Sequence, residues 1–343
     1  MTLLGIGEFA RATRLSAKAL RLYDGKGLLV PARVDPVTGY RYYGPEQVER
    51  GLLIGWLRRL GMPLARVGEV VAMEPGAAAE AVRGWWGGVA AETAVRGELA
   101  AFVADTLAGL PRGPVSVLRC AAVSDRGLVR GENQDAVHAG ERLLAVADGF
   151  GVGGARASAG AVDALRRFAE GPEPTPGTLL NALADVVGEA ARRVPARAGT
   201  TLTALLPAGR RLALVHVGDT RAYLLRDGAL SLLTRDHTLV QALADEGRIT
   251  AREAAVHPQR AQLVRALAPP APRPDLHLRT PRPGDRYLLC SDGLTTTVPE
   301  PALRRTLRET PEDPARAARA LVSLARSAGG PDNVSCAVAD VPA

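Results

Sequence analysis

The sequence predicts an α+β multidomain protein: an all-α N-terminal domain, a linking helix, and a C-terminal domain of strands and helices. Three observations carry this. At 343 residues the chain outgrows a single ordinary core, which stops enlarging near about 250–300 residues. Its 47% apolar and 23% charged residues are a globular balance. The apolar period also changes at "PRGP", residues 111–114. Before it, short helices are interrupted by one turn-rich stretch. After it, short apolar runs alternate with longer helix-like segments to the end of the chain. The expected boundaries are therefore 1–75, a linker over 76–112, and 113–343.

In order, Ile6, Phe9 and Ala10 share one face of a first helix, and "TRL" breaks it. Ser16 can cap a second helix that presents Lys18 and Arg21, with Gly27 in the left-handed position that ends helices. "DPVTG" reads as a hairpin turn. A third helix starting at Pro45 is expected to turn Val48, Leu52, Trp56 and Leu60 inward, and a fourth starts at Pro63. Over residues 77–110, Leu99, Phe102, Val103, Thr106, Leu107 and Leu110 fall at helical spacing. Gly84, Gly87 and Gly88 flank Trp85 and Trp86 there, and each interior glycine costs about 1 kcal/mol relative to alanine, so a break is expected.

Composition excludes several classes. The longest apolar stretches, such as "LLIGWL" from Leu52, fall far short of the roughly 20 residues that span a bilayer, and no signal segment opens the chain. A cytoplasmic protein is expected. Cys120, Cys290 and Cys336 are odd in number and widely spaced, against a disulfide framework or zinc cluster, and read as small buried hydrophobes. The net charge of +7, with 11 Lys and Arg against 7 Asp and Glu in residues 1–75, permits an acidic partner.

The order of these N-terminal elements, with "LRLYDGKGLLVP" and then "GYRYY", resembles the MerR family of winged helix-turn-helix transcription regulators across residues 3–73. The resemblance implies double-stranded DNA as a partner, with Lys18, Arg21 and Tyr23 on the helix that enters the major groove and Arg41 and Tyr42 on the wing that grips phosphates. It also implies a homodimer formed through the helix after this domain, although the cysteines of metal-sensing members are absent there.

Beyond the linker, Asp148, Asp219, Asp292 and Asp332 each adjoin an apolar run with glycine nearby. A carboxylate facing the interior is costly unless a cation or a hydrogen-bond network neutralises it, and hard divalent ions take oxygen ligands. Singly, "SDG" and "GD" are ordinary turn signals. Together and in order, "RGENQDA", "ADGFG", "GTT", "GDTRAYL", "SDGLT" and "GGPDNVS" resemble the type 2C (PPM) metal-dependent protein serine/threonine phosphatases over residues 116–343. This implies a β-sandwich flanked by helices on both faces, two Mn²⁺ or Mg²⁺ ions with a possible third, and a phosphorylated protein as substrate. Residue by residue, it implies metal ligation by Asp148, the Gly149 carbonyl, Asp292 and Asp332, a third metal position at Asp219, an outer-shell acid at Asp135, and a phosphate-holding arginine at Arg130.

Two departures stand out: Gln134 where many members have an acid, and Phe150 where some relatives place a histidine that can protonate the leaving alcohol. His237 reads as structural, and residues 241–267, including Glu246, Gly247, Arg248 and His257, resemble the family's flap beside the active site. The expected function is a metal-dependent phosphatase coupled to a DNA-binding regulator domain. The alternative is a regulator whose phosphatase-like domain only senses.

Overall fold

The computed structural model describes residues 2–108, 118–172, 174–246, 248–249 and 251–342. Leu110, Gly247, the "PRGP" break and the boundary expected near residue 113 lie outside the described residues. The chain divides into two compact units, Met1–Thr93 and Ala94–Ala343, so the last part of the expected linker counts with the second unit.

The first unit runs β1 (Leu4–Gly5), α1 (Ile6–Thr13), α2 (Ala17–Gly25), β2 (Arg33–Val34), β3 (Arg41–Tyr43), α3 (Gln47–Arg59), α4 (Leu64–Ala72) and the first part of α5 (Pro75–Leu107). Ser16 caps α2 by accepting from the Ala19 N–H at 3.0 Å, and Arg14 takes the left-handed turn between the two helices. The wing strands join β1 in a three-stranded antiparallel sheet of order β1-β3-β2, so the unit is not all-α. Phe9, Leu20, Tyr43, Ile54 and Val67 form its core.

Two helix expectations also fail here. On α3 the buried positions are Gly51, Ile54 and Leu57, and Trp56 is 57% exposed. Gly51 faces α1 because only a residue without a side chain fits against Thr13 and Phe9, and that close approach rotates the expected stripe outward. α5 is continuous through Gly84, Gly87 and Gly88. Alanine-rich flanks of high helix propensity and Trp85, packed on the core, offset the glycines.

The second unit is a sandwich of two antiparallel sheets with helices on both outer faces. Its elements are β4 (Arg119–Asp125), β5 (Asp135–Gly140), β6 (Leu143–Gly151), α6 (Gly154–Glu170), α7 (Pro176–Arg192), β7 (Ala198–Thr200), β8 (Leu202–Ala208), β9 (Arg211–Val217), β10 (Arg221–Arg226) and β11 (Ala229–Leu232). Then follow α8 (Leu239–Asp245), α9 (Ala251–Val256), β12 (Asp275–Arg279), β13 (Arg286–Cys290), α10 (Asp292–Thr295), α11 (Glu300–Glu309), α12 (Pro314–Ser327) and β14 (Val334–Asp340).

One sheet has the order β11-β10-β13-β14-β4, the other β12-β9-β8-β6-β5, with β7 on β6. Alternate residues of each strand serve two cores. Leu144, Val146, Leu214, Tyr287, Leu289 and Ala337 meet between the sheets. Leu143, Leu165, Leu183 and Val215 pack under α6 and α7, and Leu288, Cys290, Leu321 and Cys336 under α11 and α12. All three cysteines are free thiols; Cys290 and Cys336 are fully buried, which holds both thiols well above their ordinary pKa.

The second part of α5 joins this unit. Phe102 packs on the core beneath α6 and α7, and the buried Arg211 guanidinium reaches Glu98 at 3.1 Å and Asp105 at 2.7 Å.

Candidate active site

Strands from both sheets end at one edge of the sandwich, where a cleft of about 880 Å³ is lined by Arg130, Asp148, Gly149, Asp219, Asp292 and Asp332, among others. Asp148 lies in β6, Asp219 follows β9, Asp292 opens α10 just after β13, and Asp332 precedes β14. Residues separated by as many as 184 positions in the chain thus meet because their strands stop together.

Asp135 stands directly opposite Asp148 across the β5–β6 ladder. Like charges in that position repel. Asp135 Oδ2 accepts from the Ser291 hydroxyl at 2.8 Å, whereas Oδ1 is buried with no partner. Burial and, behind it, Asp292 and Asp332 push the Asp135 carboxyl up to about 6. Burial and Asp135 hold Asp148 well above the carboxylate range. Burial and Asp292 raise Asp219 to about 7, and burial and Asp332 raise Asp292. A cluster of partly buried, mutually repelling oxygen ligands with one buried, orphaned carboxylate oxygen fits divalent cations. Among the described residues no three acidic, histidine or cysteine side chains converge tightly enough to cage an ion alone.

The backbone beneath the aspartates is fastened. Asp148 N–H donates to the Thr201 hydroxyl at 2.9 Å, and its carbonyl accepts from the Thr200 hydroxyl at 3.0 Å. A side chain at Gly149 would collide with the Gly154 carbonyl, so only glycine lets β6 and the start of α6 approach this closely.

Arg130 rests on Asp332, its guanidinium 2.8 Å from Oδ2, and this hydrogen bond raises its pKa further. Asp332 Oδ1 accepts from the Asn333 N–H at 2.8 Å. Asn333 is the residue that sequence reasoning passed over. Its side chain accepts from Gln134 N–H at 2.9 Å and donates to the Arg126 and Glu132 carbonyls, both at 2.9 Å, so one buried amide ties the loop carrying Arg130 to the start of β14. The signal was its place beside Asp332 in "GGPDNVS". Gln134 lines the cleft and donates to the Gly151 carbonyl at 3.3 Å.

His237 is buried and structural in its contacts: Nδ1 accepts from the Gly218 N–H at 3.0 Å, and Nε2 lies 3.1 Å from Asp275. The adjacent His216 is driven down to about 4 by burial and then by His237. These contacts hold the backbone that leads into Asp219. From the flap region, Ala261, Leu263, Val264, Arg265 and Ala266 line the cleft, followed by Ala268, Pro269 and Pro270 just beyond it.

In the first unit, Lys18 and Arg21 stand exposed on α2, while Tyr23 does not share that face. Its ring is buried in the core, two positions around the helix from Arg21, which corrects the expectation for it. Arg41 pairs with Asp24 at 2.6 Å, and the Tyr42 ring lies beneath the Arg33 guanidinium, 4.6 Å from its centroid.

A family model described as MerR HTH family regulatory protein matches residues 4–74, and one described as Protein phosphatase 2C matches residues 128–326. The serine/threonine protein phosphatase PstP of Mycobacterium tuberculosis is 50% identical over 236 residues, covering 66% of this chain and 45% of its own length. The chain thus spans under half the length of that relative. Among solved structures, the M. tuberculosis phosphatase PstP/Ppp superimposes with TM-score 0.62 at 48% identity over 66% of this chain and all of that one. The PstP catalytic domain in complex with two manganese ions gives 0.60 at 47% identity, over 66% of this chain and 99% of that one. The phosphatase MsPP of Mycobacterium smegmatis, with cacodylate, gives 0.58 at 41%, with the same coverage.

Proposed function

Starting from a chain that belongs to the protein phosphatase 2C family and carries a MerR-family helix-turn-helix domain, we propose that it hydrolyses phosphoserine and phosphothreonine in proteins and binds double-stranded DNA. The observation that carries the catalytic reading is the repelling carboxylate pair Asp135 and Asp148, with Asp219, Asp292 and Asp332 around one cleft. A domain that sensed phosphoproteins without metal would have no need of so costly a cluster. In this reading Asp148, the Gly149 carbonyl, Asp292 and Asp332 hold two Mn²⁺ or Mg²⁺ ions, and Asp219 a third. When bound, the ions supply an acidified water and charge neutralisation for an in-line displacement at phosphorus.

The chain's own groups do the rest. Arg130, 58% exposed at its side chain, turns from Asp332 to the substrate phosphoryl and holds it bidentately. Asp135 and the Ser291 hydroxyl keep the Asp148 side of the site polar and ordered. The test is Mn²⁺-dependent phosphate release from a phosphothreonine peptide by purified protein. No release above the EDTA control overturns the catalytic reading. Arg130→Ala is expected to raise KM about 10-fold or more with a smaller loss in kcat, as removal of a ground-state binding contact does.

For DNA, Lys18, Arg21 and Arg41 supply the positive charge, and the excess of Lys and Arg over residues 1–75 supports this reading. Arg41→Ala is expected to weaken operator binding and to reduce the salt slope by about one, read by fluorescence anisotropy at several salt concentrations. An unchanged slope would remove Arg41 from the phosphate-contacting set. The reading assigns residues 1–75 to DNA binding, 76–112 to a linker and dimerisation helix, and 113–343 to catalysis. A homodimer would cover Leu99, Val103 and Leu107, which are exposed on α5, and would match a two-fold operator. A DNA-bound regulator works in the cytoplasm of a bacterial cell. No helix among the described residues is long and apolar enough to cross a membrane.

A further inference from the structure

The cleft has two chemically different walls. One carries Arg130 and the aspartates. The other is apolar: Phe150 from β6 faces it, together with Leu263, Val264, Ala266, Pro269 and Pro270. Phe150 is 40% exposed and Val264 57%, although an apolar surface left in water beside a charged site is unfavourable unless something covers it.

The Phe150 ring is also seated. Its backbone pairs with Gly199 across β6 and β7, and a side chain added at Gly199 would strike the ring at three of its carbons. Glycine at that position therefore lets the ring lie down on β7 as a fixed platform. Among the described residues, the flap region's cation on this wall, Arg265, is paired with Asp275 at 2.6 Å. The side chains left to meet a ligand there are apolar.

We propose that Phe150, with Val264 on the same apolar wall, forms a subsite for a bulky apolar residue immediately flanking the phosphorylated serine or threonine, so that the preferred substrates are phosphopeptides with an aliphatic or aromatic neighbour. This rests on the phosphatase reading above. Charge complementarity orients the occupant. The phosphoryl dianion belongs at Arg130 and the aspartate-held cations, and the adjoining side chain then falls on the wall continuous with that site. An acidic neighbour would be desolvated against Phe150 and Val264 with no free cation to meet it, which the site disfavours. Phe150 has no ionisable group, so its contribution is to binding and selection rather than proton transfer.

The test compares two phosphothreonine peptides that differ only in the flanking residues, leucine in one and serine in the other. It measures kcat/KM with Mn²⁺, and the affinity of their non-hydrolysable phosphonate analogues by calorimetry. The full-length protein is expected to favour the leucine peptide by about 10-fold or more, the range of hydrophobic-pocket discrimination. Phe150→Ser and Val264→Ser should each bring the ratio toward one, while Phe150→Met retains most of it. Equal kcat/KM for the two peptides, or a preference that survives both serine variants, overturns the subsite. Should neither peptide release phosphate, the phosphatase reading fails by itself, and the phosphonate affinities still decide the subsite: equal affinities refute it, and a Phe150-dependent leucine preference upholds it.

Discussion

Asp148→Asn is expected to silence phosphate release while raising the melting temperature of the metal-free protein. Asp148 faces Asp135 directly across two strands, and burial together with Asp135, Asp292, Asp219 and Asp332 opposes its ionisation. Removing one charge relieves a cross-strand repulsion of about 1 kcal/mol, or about 2–4 °C in Tm for a domain of this size. The same change removes an anionic ligand. Activity should therefore fall by more than the roughly 10–100-fold that loss of an outer partner costs.

The metal-free wild type should carry the matching pH signature. Asp135 and Asp219 have folded pKa values raised to about 6 and about 7, above the unfolded carboxylate value. Between those limits the native state binds more protons than the unfolded chain, so stability falls as pH rises from about 4 to about 7. Thermal melts in EDTA across that range measure it, and added Mn²⁺ should flatten the dependence. A mutant that keeps near-normal Mn²⁺-dependent turnover, or melts lower than wild type in EDTA, would remove Asp148 from the cation site.

Arg286→Ala is expected to be the most damaging single change to the fold. Its guanidinium meets Asp340 at 2.5 and 2.7 Å and donates to the Leu307 and Thr310 carbonyls, both at 2.6 Å, with the arginine side chain only 5% exposed. Three separate pieces of chain, β13, β14 and the end of α11, hang on this one group. Breaking a buried pair from one side strands the other charge, at a cost of about 3–5 kcal/mol, or a fall in Tm of roughly 6–20 °C. Replacing both partners at once, Arg286→Met with Asp340→Leu, should be far milder because no charge is left behind. Calorimetry of the single and double variants checks the order. A double variant as unstable as the single would show that the carbonyl contacts, not the ion pair, carry the stability.

The sequence by itself determined what has a fixed local spacing or a fixed chemical order. Ser16 announces the cap of α2 three residues ahead of the N–H it accepts. "DPVTG" announces the wing turn, and the succession of Asp148, Asp219, Asp292 and Asp332 beside their glycines announces the carboxylate cluster, because several such oxygens together inside a fold call for cations or hydrogen bonds to offset them. Tertiary structure decided what depends on which surface comes to lie against which. A helix stripe has no preferred neighbour until packing supplies one, so α3 turns Gly51 rather than Trp56 toward α1, and Tyr23 enters the core rather than the face shared by Lys18 and Arg21. α5 survives its glycines because Trp85 finds the core of the first unit. The tie that Asn333 makes to the Arg130 loop spans about 200 residues of chain, and the seating of Phe150 on Gly199 requires β7 to pair with β6. Contacts of that separation leave no periodicity in a sequence, since the residues that make them are brought together only when the strands that carry them pair.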